Sequence, residues 1–190
     1  MRQLLRLGAA IGAFSCLSMA SAAALEYPLT LTAQAKYANG PTTISSAITI
    51  RVDRLMDPAA RTRALDRLKY NGYQGFMTVL RPLPVVGQVS SPNARVDLRY
   101  AWETKADDRT RLILVADKPL FFLPADASKS KAGYELTVVD LMLDSKNAGS
   151  GTMAGAARVK PSPELGVILD DFGAAPVQLT VEPAARGKTD

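Results

Sequence analysis

Residues 134–160 read YELTVVDLMLDSKNAGSGTMAGAARVK, and the interpretation of this stretch decides the fold. An apolar run (Tyr134 to Leu143) is followed by a polar link (Asp144 to Gly151) and a second run (Thr152 to Lys160). Two-residue alternation around a polar, glycine-containing link predicts a β-hairpin. The first run carries a phase fault. Tyr134, Leu136 and Val138 share one face of a strand, whereas Val139, Leu141 and Leu143 share the other. Such a strand has either a bulge near Val138-Val139-Asp140 or burial on both of its faces.

Outward from the hairpin, the same alternation recurs. Leu29, Leu31, Ala33 and Ala35 alternate with polar residues over Tyr27 to Lys36, as do Ile48, Ile50 and Val52 over Ala47 to Asp53. Arg95 to Glu103 is the cleanest run, with Val96, Leu98, Tyr100 and Trp102 expected inward and Arg95, Asp97, Arg99, Ala101 and Glu103 outward. Further strands are predicted at Val85 to Val89, Arg109 to Asp117, Leu165 to Leu169 and around Val177 to Val181, with a short apolar piece at Leu120 to Leu123. The closely spaced strands predict a mainly β (α+β) fold, an antiparallel β-sandwich or small barrel of about 8–10 strands.

The period changes once. Asp57-Pro58 is a helix start, with an Asp cap followed by Pro in the first turn. Ala60, Ala64, Leu65 and Leu68 form an apolar stripe that Asn71-Gly72 ends. A second short helix over Tyr73 to Arg81 completes a predicted helical hairpin at about 57–83, covering one end or face of the sheet or serving as a lid.

Residues 1–24 read as a secretory signal peptide. Arg2 and Arg6 precede an uncharged, mostly apolar segment that ends at Ala22-Ala23-Ala24. Phe14, so close before Cys16, fits a lipid-attachment signal poorly, so lipidation there is not expected. Cleavage near Ala24 predicts a periplasmic or secreted protein with no transmembrane segment, one domain over 25–182 and a flexible tail over 183–190. Cys16 is the only cysteine and histidine is absent. The mature chain therefore lacks the residues of Ser-His-Asp or Cys-His catalysis, ordinary zinc sites and disulfides. The net charge of +5 falls to +3 once the two leader arginines are removed, and charges of both signs are interleaved. No nucleic-acid partner is expected.

Asp57-Pro58, Gly87, Leu98-Arg99-Tyr100-Ala101, Ala116-Asp117-Lys118-Pro119, Leu141-Met142-Leu143-Asp144 with Gly149 and Gly151, and Pro176-Val177-Gln178-Leu179 occur in an order that resembles a family of small exported bacterial proteins of unknown function. The resemblance covers most of the mature chain and implies a bacterial exported protein. It brings no catalytic residue with it.

The remaining candidates for chemistry are carboxylates, cations and aromatics. Asp97, Asp117 and Asp140 (with Glu103 nearby) are the carboxylates that paired-carboxylate glycan hydrolysis would use. Asp140, at the expected bulge, would need Arg99 or Lys118 as a partner if turned inward. Tyr100 and Trp102 are candidate aromatic contacts, with core packing as the plainer reading. Asp144 to Gly149 lacks acids at alternate positions, so neither calcium nor any other metal or cofactor is expected. The sequence thus points to a non-enzymatic binding or interaction module for an envelope component or a small apolar ligand. A carboxylate-based glycan hydrolase and an envelope structural protein are the alternatives. Asp97, Arg99, Tyr100, Trp102, Asp117, Lys118 and Asp140 are the candidate binding residues.

Overall fold

A computed structural model describes residues 24–39, 42–122 and 131–183. The expected leader and tail lie almost entirely outside the described residues, so neither is placed. The strands are β1 (Leu29–Asn39), β2 (Thr42–Val52), β3 (Gly87–Ser90), β4 (Arg95–Ala106), β5 (Arg109–Ala116), β6 (Leu136–Leu143), β7 (Gly149–Ser162), β8 (Gly166–Phe172) and β9 (Val177–Val181). All pairings are antiparallel and run in the order β6-β5-β4-β3-β2-β1-β9-β7, and β6 also pairs with β7. The sheet therefore closes on itself as an eight-stranded barrel, and the sandwich alternative is discarded. Closure removes the edges that a flat sheet would expose. β8 hangs on β7 alone and is the edge that closure leaves.

Following the paired residues around the barrel separates its two faces. Leu31 faces Ile50, Leu114 faces Val139, Leu141 faces Gly151, and Val181 faces Ala33. This inner set is a packed core, since Leu31, Ile50, Leu98, Leu114 and Leu141 are each at most 1 % exposed.

The predicted turns are built from local side-chain chemistry. Asp107 and Asp108 close the β4–β5 hairpin, Asp107 at φ 56°. Asp144 Oδ1 accepts from the amides of Lys146 and Ala148 at 2.7 and 3.0 Å. That carboxylate is a turn clamp, as the residue types required. By contrast, Asp170 and Asp171, beyond the strand predicted to end at Leu169, continue it as part of β8.

The phase fault has a different origin from the bulge expected at Val138-Val139-Asp140. β5 and β6 pair without interruption from Thr110–Leu143 to Ala116–Thr137. The irregularity near the start of β6 belongs to its partner. Between Leu136–Ala157 and Val138–Ala154, β6 advances two residues while β7 advances three. β6 is instead buried on both faces, Val139 at 0 % and Val138 at 4 % exposure.

The bulge that re-aims side chains lies in the strand whose alternation looked flawless. Leu98 pairs with Ala116, but Tyr100 pairs with Val115, so Arg99 is an extra residue on β4. Val96 and Leu98 consequently face the interior, whereas Tyr100 and Trp102 face outward in line with Val115, Val138 and Ile113. The reading of all four as inward is corrected by that single insertion.

A helix covers this outer apolar face. The helical insert, α1 (Pro58–Leu80), is broken at Gly72 into two helical halves, at the place where Asn71-Gly72 is expected to end the first helix. Asp57 caps it by accepting from the Ala60 amide at 2.8 Å, and Pro58 occupies the first turn. Gly72 has φ 66° and ψ −163°, a conformation open essentially to glycine alone. A straight helix of 23 residues would span about 35 Å. Yet Asp57 and Ala60 at one end and Leu83 and Pro84 beyond the other line one cleft of about 90 Å³. The kink thus returns the helix on itself. Ala60, Ala64 and Leu68 bury the outgoing half and Tyr73, Phe76, Met77 and Leu80 the returning half, and α1 packs on β7 and β4.

Candidate functional site

The bulge at Arg99 organises the charged residues that the sequence singles out. Arg95, Asp97 and Arg99 project from one side of β4, and Asp117 and Lys118 follow the end of β5 beside them. With Val96 they line one cleft of about 170 Å³ on the outer wall. Four of the seven candidate residues are therefore together: Asp97, Arg99, Asp117 and Lys118. Arg99 is held from two directions. Its Nη1 donates to the Leu83 carbonyl at 2.6 Å, and its Nε stands 3.7 Å from Asp117 Oδ2. Asp117 is only 11 % exposed, whereas Arg95, Asp97 and Lys118 stand out in solvent. The cleft contains three cations and two carboxylates, a net charge of +1.

Asp140 is elsewhere. It faces outward, opposite Ile113, and Arg111 grips it with two hydrogen bonds, Nε to Oδ1 at 2.8 Å and Nη2 to Oδ2. The Asp140 contact holds the Arg111 guanidinium above its ordinary value. The expected partners Arg99 and Lys118 are thus replaced by the neighbour on the adjacent strand. Asp117 lies four residues along the ladder from the Asp140 partner Ile113, about 13 Å at strand spacing. Asp140 is therefore out of reach of a paired-carboxylate site with Asp117, which requires separations up to about 10 Å.

Tyr100 and Trp102 lie beneath α1 and form a third group. The Arg61 guanidinium stacks on the Trp102 ring at 4.3 Å. Tyr100 is fully buried and its hydroxyl has no hydrogen-bond partner, nor does Arg61 Nε. Burial raises the Tyr100 phenol above its ordinary value, and Arg61 opposes that rise. Arg61 was not legible as a site residue, because nothing in its spacing on the helix marks a stack on a strand residue.

Two tyrosine–carboxylate clasps also escaped the sequence. Tyr27 donates to Glu103 at 2.8 Å, and burial together with that bond raises the phenol far above its ordinary value. Tyr73 donates to Glu135 Oε2 at 2.6 Å and accepts from the Glu135 amide at 3.0 Å, tying the returning half of α1 to the start of β6. Burial alone would raise Glu135, but the hydrogen bonds from Tyr73 and the Gly133 amide outweigh it, so its carboxyl sits below its usual value. A carboxyl held low in the folded state stabilises the fold above its unfolded value and loses that contribution as pH falls through the folded one. The protein should therefore lose stability below about pH 4.5, the ordinary value for Glu135. Tyr73→Phe should remove part of that acid sensitivity, read from urea midpoints between neutral and acid pH. An unchanged pH profile in Tyr73→Phe would contradict the clasp.

Among the described residues, no group of three or more His, Cys, Asp or Glu is placed to hold a metal ion. Nor is any helix among them long and apolar enough to cross a membrane. The chain matches no protein-family model, no curated protein and no solved structure.

Proposed function

We propose that the mature protein is a bacterial, non-enzymatic binding module that works outside the cytoplasm and engages a charged envelope component through the cleft of Arg95, Asp97, Arg99, Asp117 and Lys118. The observation that carries this reading is the convergence of these charges on the outer wall of a barrel whose interior is filled with side chains. A filled interior favours recognition on the outside over enclosure of a ligand. The glycan-hydrolase alternative is weakened by the position of Asp140 and by the pairing of Asp117 with Arg99. The structural-protein alternative has β8 as its available edge, and Asp170 and Asp171 on that strand discourage pairing with another chain.

Isotope-labelled protein titrated with soluble anionic cell-wall fragments tests the proposal. Shift changes should centre on Arg95 to Arg99 and on Asp117 to Lys118, and should weaken as salt rises. The Arg95→Glu, Lys118→Glu double variant changes only exposed side chains and should reduce affinity about tenfold or more. Changes confined to another surface, or equal binding by the double variant, would contradict the reading. Turnover of the fragments would favour the hydrolase alternative instead.

A further inference from the structure

The two chain segments that line the charged cleft continue together past its border. Ala94 precedes Arg95 on one side, Pro119 follows Lys118 on the other, and both line a neighbouring cleft of about 280 Å³. Phe121 and Phe122 supply aromatic lining there, and Ser46, Ser91 and Asn93 supply polar side chains. Neither cleft alone reaches the roughly 300–1,000 Å³ of a small-molecule site, whereas the two together do. The segment that carries both Lys118 and the phenylalanines is tied to the barrel at two points. Thr137, a buried polar side chain, donates from its hydroxyl to the Lys118 carbonyl at 2.9 Å. Leu120 is buried, and its amide donates to the Gly155 carbonyl at 2.9 Å. Only glycine permits that approach, because a Cβ on residue 155 would stand 1.9 Å from the Leu120 carbonyl oxygen. Phe121 and Phe122 are only partly buried; Phe122 packs against the core and Phe121 lies outside it. A segment held this way presents the lysine and the rings in a fixed relation, which lowers the ordering cost of binding.

We propose that the two clefts form one site and that its ligand is an acidic glycan, an inference that rests on the reading of the charged cleft. The acid group meets Arg95 and Lys118, and a neighbouring sugar ring lies against Phe121. A saccharide has an apolar face of ring C–H groups, which an aromatic ring covers, and an edge of hydroxyls, which need groups that both donate and accept. The Ser91 hydroxyl is engaged with Ala94 in its own turn at 3.2 and 3.3 Å. The Asn93 carboxamide has no partner among the described residues and is the group left to meet those hydroxyls. The ligand class follows from the combination. A sugar-free polyanion would leave the aromatic cleft unfilled, and a neutral sugar would leave the cations unmatched.

Peptide-free glycan chains of alternating N-acetylglucosamine and N-acetylmuramic acid carry a carboxylate on every second sugar, and isotope-labelled protein titrated with them reports on both clefts. Shift changes should appear at Asn93, Phe121 and Phe122 as well as at Arg95 to Arg99 and Asp117 to Lys118. Neutral N-acetylglucosamine chains of the same length should bind about tenfold more weakly. Phe121→Ala should weaken binding of the acidic chains about tenfold and leave binding of tripolyphosphate, a sugar-free polyanion, unchanged. The Arg95→Glu, Lys118→Glu double variant should weaken both. Shifts confined to the charged cleft, or a Phe121→Ala that binds the acidic chains as the parent does, overturn this inference and leave the charged-cleft reading standing. An equal loss of tripolyphosphate binding in Phe121→Ala does the same. Equal affinity for neutral and acidic chains, or no response at either cleft, overturns both. If Phe121→Ala does not fold, the shift map of the parent decides alone.

Discussion

Val138→Asp should unfold the protein as effectively as Val139→Asp. The two residues point to opposite faces of β6, Val139 into the barrel and Val138 outward, yet they are 0 % and 4 % exposed. An unpaired carboxylate at either site costs roughly 3–5 kcal/mol or more, a large part of the 5–15 kcal/mol that stabilises a typical domain. On a barrel whose outer wall faced water, the Val138 substitution would fall within about 0.5 kcal/mol of neutral. Urea unfolding of the two variants side by side makes the comparison. A mild Val138→Asp beside a severe Val139→Asp would show that α1 does not cover this wall.

Phe76→Ala should be the second severe change, by removing the returning half of α1 from the barrel. Phe76 is fully buried on the half of the helix that Gly72 turns back. Truncating a buried phenylalanine leaves a cavity its neighbours only partly fill, at a cost of about 3–5 kcal/mol. The loss should be uneven. Hydrogen exchange should accelerate first over Tyr73 to Leu80, whose other anchor is the Tyr73–Glu135 clasp, while β1 and β2 retain their protection. Uniform acceleration across barrel and helix would instead show that they unfold as one unit.

These two residues also show how far the sequence could be read. Alternation identified the barrel strands on the β1–β2 side, because their outer faces meet water and a single buried phase leaves a clear pattern. The rule failed on the β4–β6 wall, which has apolar neighbours on both faces. A strand buried twice looks faulty without being bulged, as β6 does. Conversely, a bulge under a second apolar layer leaves the alternation intact, because Tyr100 and Trp102 keep the phase of Val96 and Leu98 but enter a different core. Only the register with β5 separates the two cases.

The candidate site was legible in part for a related reason. Asp97, Arg99, Asp117 and Lys118 are named from the sequence one by one, but their convergence comes from the β4–β5 pairing, which spacing alone does not carry. Arg95 was missed only because an exposed strand-end arginine carries no mark of its own. Arg61 could not have been nominated with Tyr100 and Trp102. It comes from the outgoing half of α1, and its stack on Trp102 joins two elements far apart in sequence.

Cross-strand proton contacts between β4 and β5, measured by NMR, test the central claim most directly. With Arg99 as the extra residue, Tyr100 should lie opposite Val115 and Trp102 opposite Ile113. An unbroken register continued from Leu98–Ala116 would place Tyr100 opposite Leu114 and Trp102 opposite Leu112, pointing both aromatics into the barrel. Contacts of that second kind would contradict the covered outer wall and the charged cleft together.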